Sequence, residues 1–150
     1  MSRACGDCAA CCHVPPIPEV EKPACTNCRH LRTTVQEIGR CGVYATRPDR
    51  CASYRCLWLD APDVLPEGSR PDRLGVIFDV QQLAGGGQVV RAMEMHRGAA
   101  TAGPGWRLVQ ALALFGSVSV IRYGEPDTAL VVRPDGRGGV CVTHRPAVRP

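Results

Sequence analysis

The rhythm of apolar and polar positions changes near residue 72 of the chain. Downstream of that point the runs are regular. Gly75 to Leu83 (GVIFDVQQL) and Gln88 to Glu94 (QVVRAME) are rich in Val, Ile and Phe, and Gly85, Gly86 and Gly87 lie between them. This pattern predicts two strands joined as a hairpin. From Pro104 to Phe115 (PGWRLVQALALF) the apolar residues Leu108, Val109, Leu112 and Phe115 share one helical face. Pro104 suits a first turn and Gly116 an end, so a helix is predicted here. Val118 to Tyr123 and Thr128 to Arg133 are β-branched runs on either side of the turn signal Gly124, Glu125, Pro126 and Asp127. The resulting order β-β-α-β-β predicts a small antiparallel sheet packed by one helix, an α+β fold. Pro134 to Pro150, with three prolines and three glycines, is expected to form an irregular tail.

Upstream the apolar residues are scattered. Val14, Ile17, Val20, Leu31, Val35, Ile38, Val43, Leu57 and Leu59, with Tyr44, Tyr54 and Trp58, are few for some sixty residues. Ordering each residue's backbone costs roughly 1–2 kcal/mol, more than this set can offset alone. Another source of order is required. Leu31 to Ile38 (LRTTVQEI) has a short helical spacing capped by Gly39, and Asp60 to Asp72 has three prolines and reads as an extended connector. The expected organisation is a cysteine-rich lobe over 1–60, a connector over 61–72, an α+β lobe over 73–134 and a tail over 135–150, together one compact domain.

Composition sharpens this division. The chain has 150 residues, of which 45% are hydrophobic and 21% charged, values of an ordinary globular domain. No apolar run approaches the roughly 20 residues of a spanning helix, and the opening MSRACGDCAACC lacks the apolar stretch of an export signal. The expectation is a cytoplasmic protein with no membrane partner. Ten cysteines are present, nine of them between Cys5 and Cys56. In a reducing compartment such density points to metal ligation or thiol chemistry rather than disulfides.

The densest array is CGDCAACC, which places Cys5, Cys8, Cys11 and Cys12 in a Cx2Cx2CC pattern. Two intervening residues let one tight turn aim two sulfurs at one ion, and Gly6 suits a turn that needs positive φ. Adjacent Cys11 and Cys12 fit one tetrahedron poorly, so one of them is free to serve a second site. Cys25, Cys28, Cys41, Cys51 and Cys56 complete the candidate ligand set, with His13 and His30 nearby. One or two sites can be built from them, and spacing leaves the allocation open. The Cx2Cx2C run also matches iron–sulfur spacing, although no cysteine here is followed by proline. A structural metal contributes on the order of 10 kcal/mol of apparent binding free energy to folding, enough to replace the missing core.

The segments CGDCAACC, EKPACTNC, RCGVYATRPDRCASYRCLWL and LPEGSRPDRLGVIF resemble the CxxCxxCC family, small bacterial proteins with a zinc- or iron-chelating domain that also occurs in flagellin N-methylases. The resemblance runs from about Cys5 to Phe78 and includes Tyr44, Arg47, Pro48, Tyr54 and Trp58. It implies zinc, iron or a 4Fe-4S cluster held by Cys5, Cys8, Cys11, Cys12, Cys41, Cys51 and Cys56. The Cys25 and Cys28 pair matches only part of the family.

Three functions are open to such a protein: an accessory protein with a structural or electron-transfer metal, a metal- or cluster-dependent redox or methyl-transfer enzyme, and a zinc-ribbon-like adaptor for nucleic acid or protein. No carboxylate pair, phosphate loop or Ser/His/Asp set points to catalysis by side chains, so an enzyme is the weaker expectation and no catalytic residue is assigned. Nucleic acid is an unfavoured partner. The net charge is +4, but residues 1–60 carry eight basic and six acidic residues and residues 61–150 carry ten and eight, so no basic cluster stands out. Metal-bound thiolates lower that charge further, because each four-thiolate site holding a divalent ion is net negative.

Overall fold

The computed structural model describes residues 3–32 and 40–147. The first half is built from short pieces. Helix α1 (Ala10–His13) is a single turn. Strands β1 (Leu31–Arg32) and β2 (Arg40–Cys41) form a two-residue antiparallel ladder that sets Leu31 opposite Cys41. Helices α2 (Asp49–Ser53), α3 (Leu57–Asp60) and α4 (Pro71–Leu74) follow. The helix expected from Leu31 is not formed at its start: Leu31 and Arg32 pair as strand, and the remainder of that segment lies outside the described residues.

The second half is a mixed α+β unit. Strands β3 (Val76–Gln82) and β4 (Gln88–Glu94) form the hairpin that the sequence predicts, and helix α5 (Gly103–Ala113) follows. Strands β5 (Val118–Ile121), β6 (Thr128–Pro134) and β7 (Val140–Pro146) complete a five-stranded sheet in the order β3-β4-β5-β6-β7. Two expectations are corrected. The sheet is mostly, not wholly, antiparallel: β4 and β5 are parallel, Val90 opposite Val118, because the α5 crossover returns the chain to the end where β4 began. The expected irregular tail contains β7, paired along its length with β6. Its prolines and glycines fall where a strand tolerates them. Gly136 and Gly138 take positive φ in the turn, where Asp135 accepts N–H groups from Arg137 and Gly139, and Pro146 closes an edge strand.

Helix α5 packs on β5 and β6, while α3 and α4 pack on β3. The start of β3 is therefore covered on both faces, and Val76, Ile77, Phe78 and Asp79 are all buried. A single apolar cluster runs from Ala10, Val14, Cys56, Trp58 and Leu65 to Phe78, Val109, Val118 and Val132, so both halves contribute to it. The stretch that reads as an extended connector is folded. Ala61 O accepts N–H groups from Val64 and Leu65, and Leu65 is 1% exposed. Arg3 holds it from the other side, donating to Trp58 O, Pro62 O and Leu65 O at 2.8–3.0 Å while its guanidinium lies over the Trp58 ring.

Buried polar groups define the two halves' joints. Asp79, opposite Arg91 on β4, takes a two-pronged ion pair from that guanidinium and a hydrogen bond from the Tyr54 hydroxyl at 3.0 Å. Tyr54 belongs to the cysteine-rich half, so this network pins that half to the sheet. Glu94, 1% exposed, accepts the N–H groups of Gly98, Ala100 and Tyr123 and thereby shapes the loop that launches α5. Gly105 is required in that region: a Cβ there would lie 1.9 Å from Ala99 O.

Candidate functional site

The cysteines gather around α1. Cys8 N–H donates to Cys5 O at 3.0 Å, closing the turn between the first two thiols, and Gly6 has φ 58° as the spacing requires. Asp7, inside this turn, is anchored by Arg70 at 2.9 Å, and Arg70 also forks onto Asp72. The turn is thus tied to α4. Backbone N–H groups of Ala10 and Asp72 near Cys8, and of Leu59 and Trp58 near Cys56, act to lower those thiols against the larger effect of burial. N–H donors aimed at sulfur favour a thiolate and are the usual support of metal-bound cysteine.

Cys11 and Cys12 are successive residues of a helix rather than of extended chain, so their side chains leave the axis about 100° apart. Cys11 packs with Cys8 against the main core that contains buried Cys56. Cys12 packs on a separate small cluster of Ile17, Val20 and buried Cys28, where Cys51 and Leu31 also lie. The two thiols still interact, which raises Cys11 and lowers Cys12.

The second segment is laid alongside the first. Cys28 N–H donates to Cys12 O at 2.8 Å, and Cys25 N–H to Val14 O at 3.0 Å. Cys41 sits on β2 across from Leu31, and Cys51 on α2. Cys25 has φ 56°, the left-handed backbone region that L residues other than Asn and Asp rarely adopt.

Burial raises the thiols of Cys5, Cys51 and Cys56 and pushes Cys8 up to about 11. Cys11 is raised further by its interaction with Cys12 and by partial burial, and Cys12 is lowered by the same interaction. Cations oppose the burial cost. Arg55 and Arg47 lie close enough to favour the Cys5 thiolate, and the field of Arg47 also reaches Cys11, Cys41 and Cys51. Lys22, the chain's only lysine, is 4% exposed. Its ammonium donates to Pro15 O at 2.6 Å and to His13 O and Pro23 O at 3.2 Å.

Other candidates fall elsewhere. Cys141, the one cysteine outside the first half, is exposed on β7. The His13 ring is engaged with Asn27 Oδ1. The aromatics do not form a lid over the thiols: Trp58 is in the main core, Tyr54 reaches Asp79, and Tyr44 is 65% exposed beneath Arg47. An open cleft of about 480 Å³ lined by Arg3, Trp58, Asp63, Glu67 and Arg73 includes no cysteine. Lys22, Arg3 and the Tyr54–Asp79–Arg91 network were not singled out from sequence. Only Lys22 had a signal, as the one lysine among seventeen arginines.

Among the described residues, no three His, Cys, Asp or Glu side chains converge tightly enough to hold an ion. The thiols are neighbours, not a closed cage. Their chemistry fits a thiophilic group nonetheless, since soft sulfur donors select zinc and iron–sulfur clusters. Among the described residues, no helix is long and apolar enough to cross a membrane. Comparison with protein-family models, with curated proteins and with solved structures gives no match for this chain.

Proposed function

We propose that the protein binds a thiophilic metal, zinc or an iron–sulfur cluster, through its cysteine-rich half, and that the bound group serves a structural or electron-transfer accessory role. One observation carries this reading: thiols from separate segments pack on the two clusters that meet at one helical turn, where Cys28 N–H also donates to Cys12 O. Cysteines serving as inert packing would be buried, yet of the nine in this half only Cys28 and Cys56 are. The resemblance to the CxxCxxCC family implies the same chemistry. Bound metal would supply the cross-links that the sparse apolar residues of this half lack.

A site closed by four thiolates would favour the accessory role, whereas three protein ligands and an open coordination position would favour an enzyme. The nucleic-acid adaptor is disfavoured by the even spread of charge along the chain. Anaerobic purification followed by zinc, iron and sulfide analysis with a visible spectrum is the test. At least one equivalent of zinc or of a cluster per chain is expected. Less than one equivalent of either in a folded preparation overturns the proposal.

A further inference from the structure

The two edges of the sheet are finished differently. At one end α3 and α4 pack on β3, and Val76 and Phe78 are fully buried. At the other end β7 pairs with β6 and, among the described residues, with nothing on its outer side. Val140 is half-buried and the other six residues of β7 are exposed. Proteins ordinarily bulge, shorten, cover or interrupt such an edge, because its unpaired N–H and C=O groups invite another strand. Here the register with β6 runs without a bulge over all seven residues, and the only proline is the last, Pro146.

Hydrogen bonds beyond the strand ends fix which groups face outward. Asp135 N–H donates to Gly139 O at 3.1 Å and Ala147 N–H to Asp127 O at 2.9 Å, both in register with the β6–β7 ladder. In an antiparallel ladder the pairs that exchange bonds alternate with pairs that do not. Cys141, Thr143 and Arg145 therefore bond inward to β6. Val140, Val142 and His144 present their N–H and C=O groups off the edge, and Pro146, next in that series, has no N–H to offer.

We propose that this edge is an interface for a second copy of the chain, paired β7 to β7 in antiparallel fashion about a two-fold axis at Val142. That register sets Val142 opposite itself and Val140 opposite His144, so every outward N–H finds a carbonyl: three pairs, each with two hydrogen bonds. A two-fold at Thr143 would spend one pair on Pro146, and one at Cys141 would leave His144 outside the strand ladder. About Val142 no like charges face each other, since Arg145 stands opposite Gly139 and Cys141 opposite Thr143.

The side chains agree with the backbone. Val140, Val142 and His144 lie on the face of the sheet that α5 covers, because Val142 is paired with Val132 and His144 with Leu130, both in the core with Val109. Helix α5 packs on β5 and β6, so Val118 and Val132 in this row are fully buried while Val142 is 44% exposed. A two-fold perpendicular to the sheet brings two such valines together and keeps both α5 helices on their side. The exposed Leu114 and Phe115, where α5 ends, add apolar surface there. Metal plays no part in this pairing.

The reduced full chain is followed by sedimentation over a wide range of concentration, with amide exchange read at both ends of the range. A monomer–dimer equilibrium is expected, with the Val142 and His144 amides protected in the dimer and open on dilution. Val142→Lys sets two ammonium groups face to face at the axis and should raise the dimer dissociation constant tenfold or more. Val142→Pro removes the outward N–H, leaves the inward ladder whole and should do the same; if one of the two fails to fold, the other decides. Val80→Lys, at an equally exposed valine on β3, should change nothing. Thr143→Cys places a thiol across from Cys141 of the second copy, with Cβ atoms about 4.5–5.5 Å apart. Oxidised glutathione should then join positions 141 and 143 of different chains, as read by peptide mapping. A monomer up to about 1 mM with these amides open overturns the pairing and leaves the edge to a strand of another protein. Protection that persists in the dilute monomer overturns it too, because the same chain then covers the edge, as does a dimer indifferent to both Val142 variants or equally weakened by Val80→Lys.

Discussion

The two halves of this molecule are ordered by different physics. From Val76 onward, β-branched strands and α5 bury Val76, Val109, Val118, Val120 and Val132 completely, and every strand has at least one ladder partner. Upstream, helices of four or five residues and a two-residue ladder replace long elements, and polar anchors such as buried Lys22 and half-buried Arg3 replace much of the apolar packing. Short helices are unstable alone. The comparison teaches that regular secondary structure follows where apolar periodicity supplies burial, and that point-to-point cross-links are needed where it does not.

The largest test of this contrast is removal of metal. Chelation of the loaded protein, or Cys8→Ser, should strip the cysteine-rich half of a contribution on the order of 10 kcal/mol. Hydrogen exchange should then collapse in residues 3–60 while β4 to β6 keep their protection. Equal loss in both halves would show that the sheet depends on the thiols as well, and unchanged exchange would remove them as the source of order.

The seam comes next. Asp79 is almost fully buried and paired with Arg91, so Asp79→Asn leaves a largely buried guanidinium without its counter-charge. Breaking such a pair costs about 3–5 kcal/mol. Chemical denaturation should show this loss, and metal content should stay the same because no cysteine is touched. A variant that also loses metal would mean that the halves are one cooperative unit at this point.

Gly105→Ala tests the sheet half alone. Replacing glycine in a helix by alanine ordinarily stabilises by about 1 kcal/mol. Here the added Cβ would meet Ala99 O at 1.9 Å, a backbone atom that cannot swing aside. Destabilisation of about 1–3 kcal/mol is expected, the range of an overpacked core. A raised melting temperature would show that the α5 approach is looser than its geometry.

Much of the sheet half was legible because its signals are local. The Gly85–Gly87 hairpin, the single apolar face of Leu108, Val109 and Leu112, and the two β-branched runs each lie within a dozen residues. Parallel pairing of β4 with β5 was not legible, since it depends on how α5 crosses the sheet, and β7 was hidden by counting its prolines and glycines without their positions. In the other half the candidate ligands were legible but not their grouping. That grouping depends on α1 being helical at Cys11 and Cys12 and on Cys28 N–H reaching Cys12 O, neither of which is encoded by the spacing of cysteines. The role of Lys22 needed three carbonyls from two separate loops.

The smallest expected effect is a difference of reactivity within the cysteine-rich half. Alkylation requires thiolate. In the metal-free protein burial holds Cys8 at about 11, whereas the interaction with Cys11 lowers Cys12 below its ordinary value. At pH 8 only about one Cys8 in a thousand is ionised on that scale, so iodoacetamide should modify Cys12 well before Cys8. The intrinsic nucleophilicity of a thiolate falls with its pKa, which narrows the gap without closing it. As pH rises through 11 Cys8 ionises as well, and its more basic sulfur should then overtake Cys12. Cys11→Ala removes that interaction, so it should slow Cys12 at pH 8 and leave the exposed Cys141 unchanged. Peptide mapping after short exposures reads the order directly. Modification of Cys8 first at pH 8, or a Cys12 rate indifferent to Cys11→Ala, would mean that the two thiols do not interact and that α1 does not present them as adjacent faces of one turn.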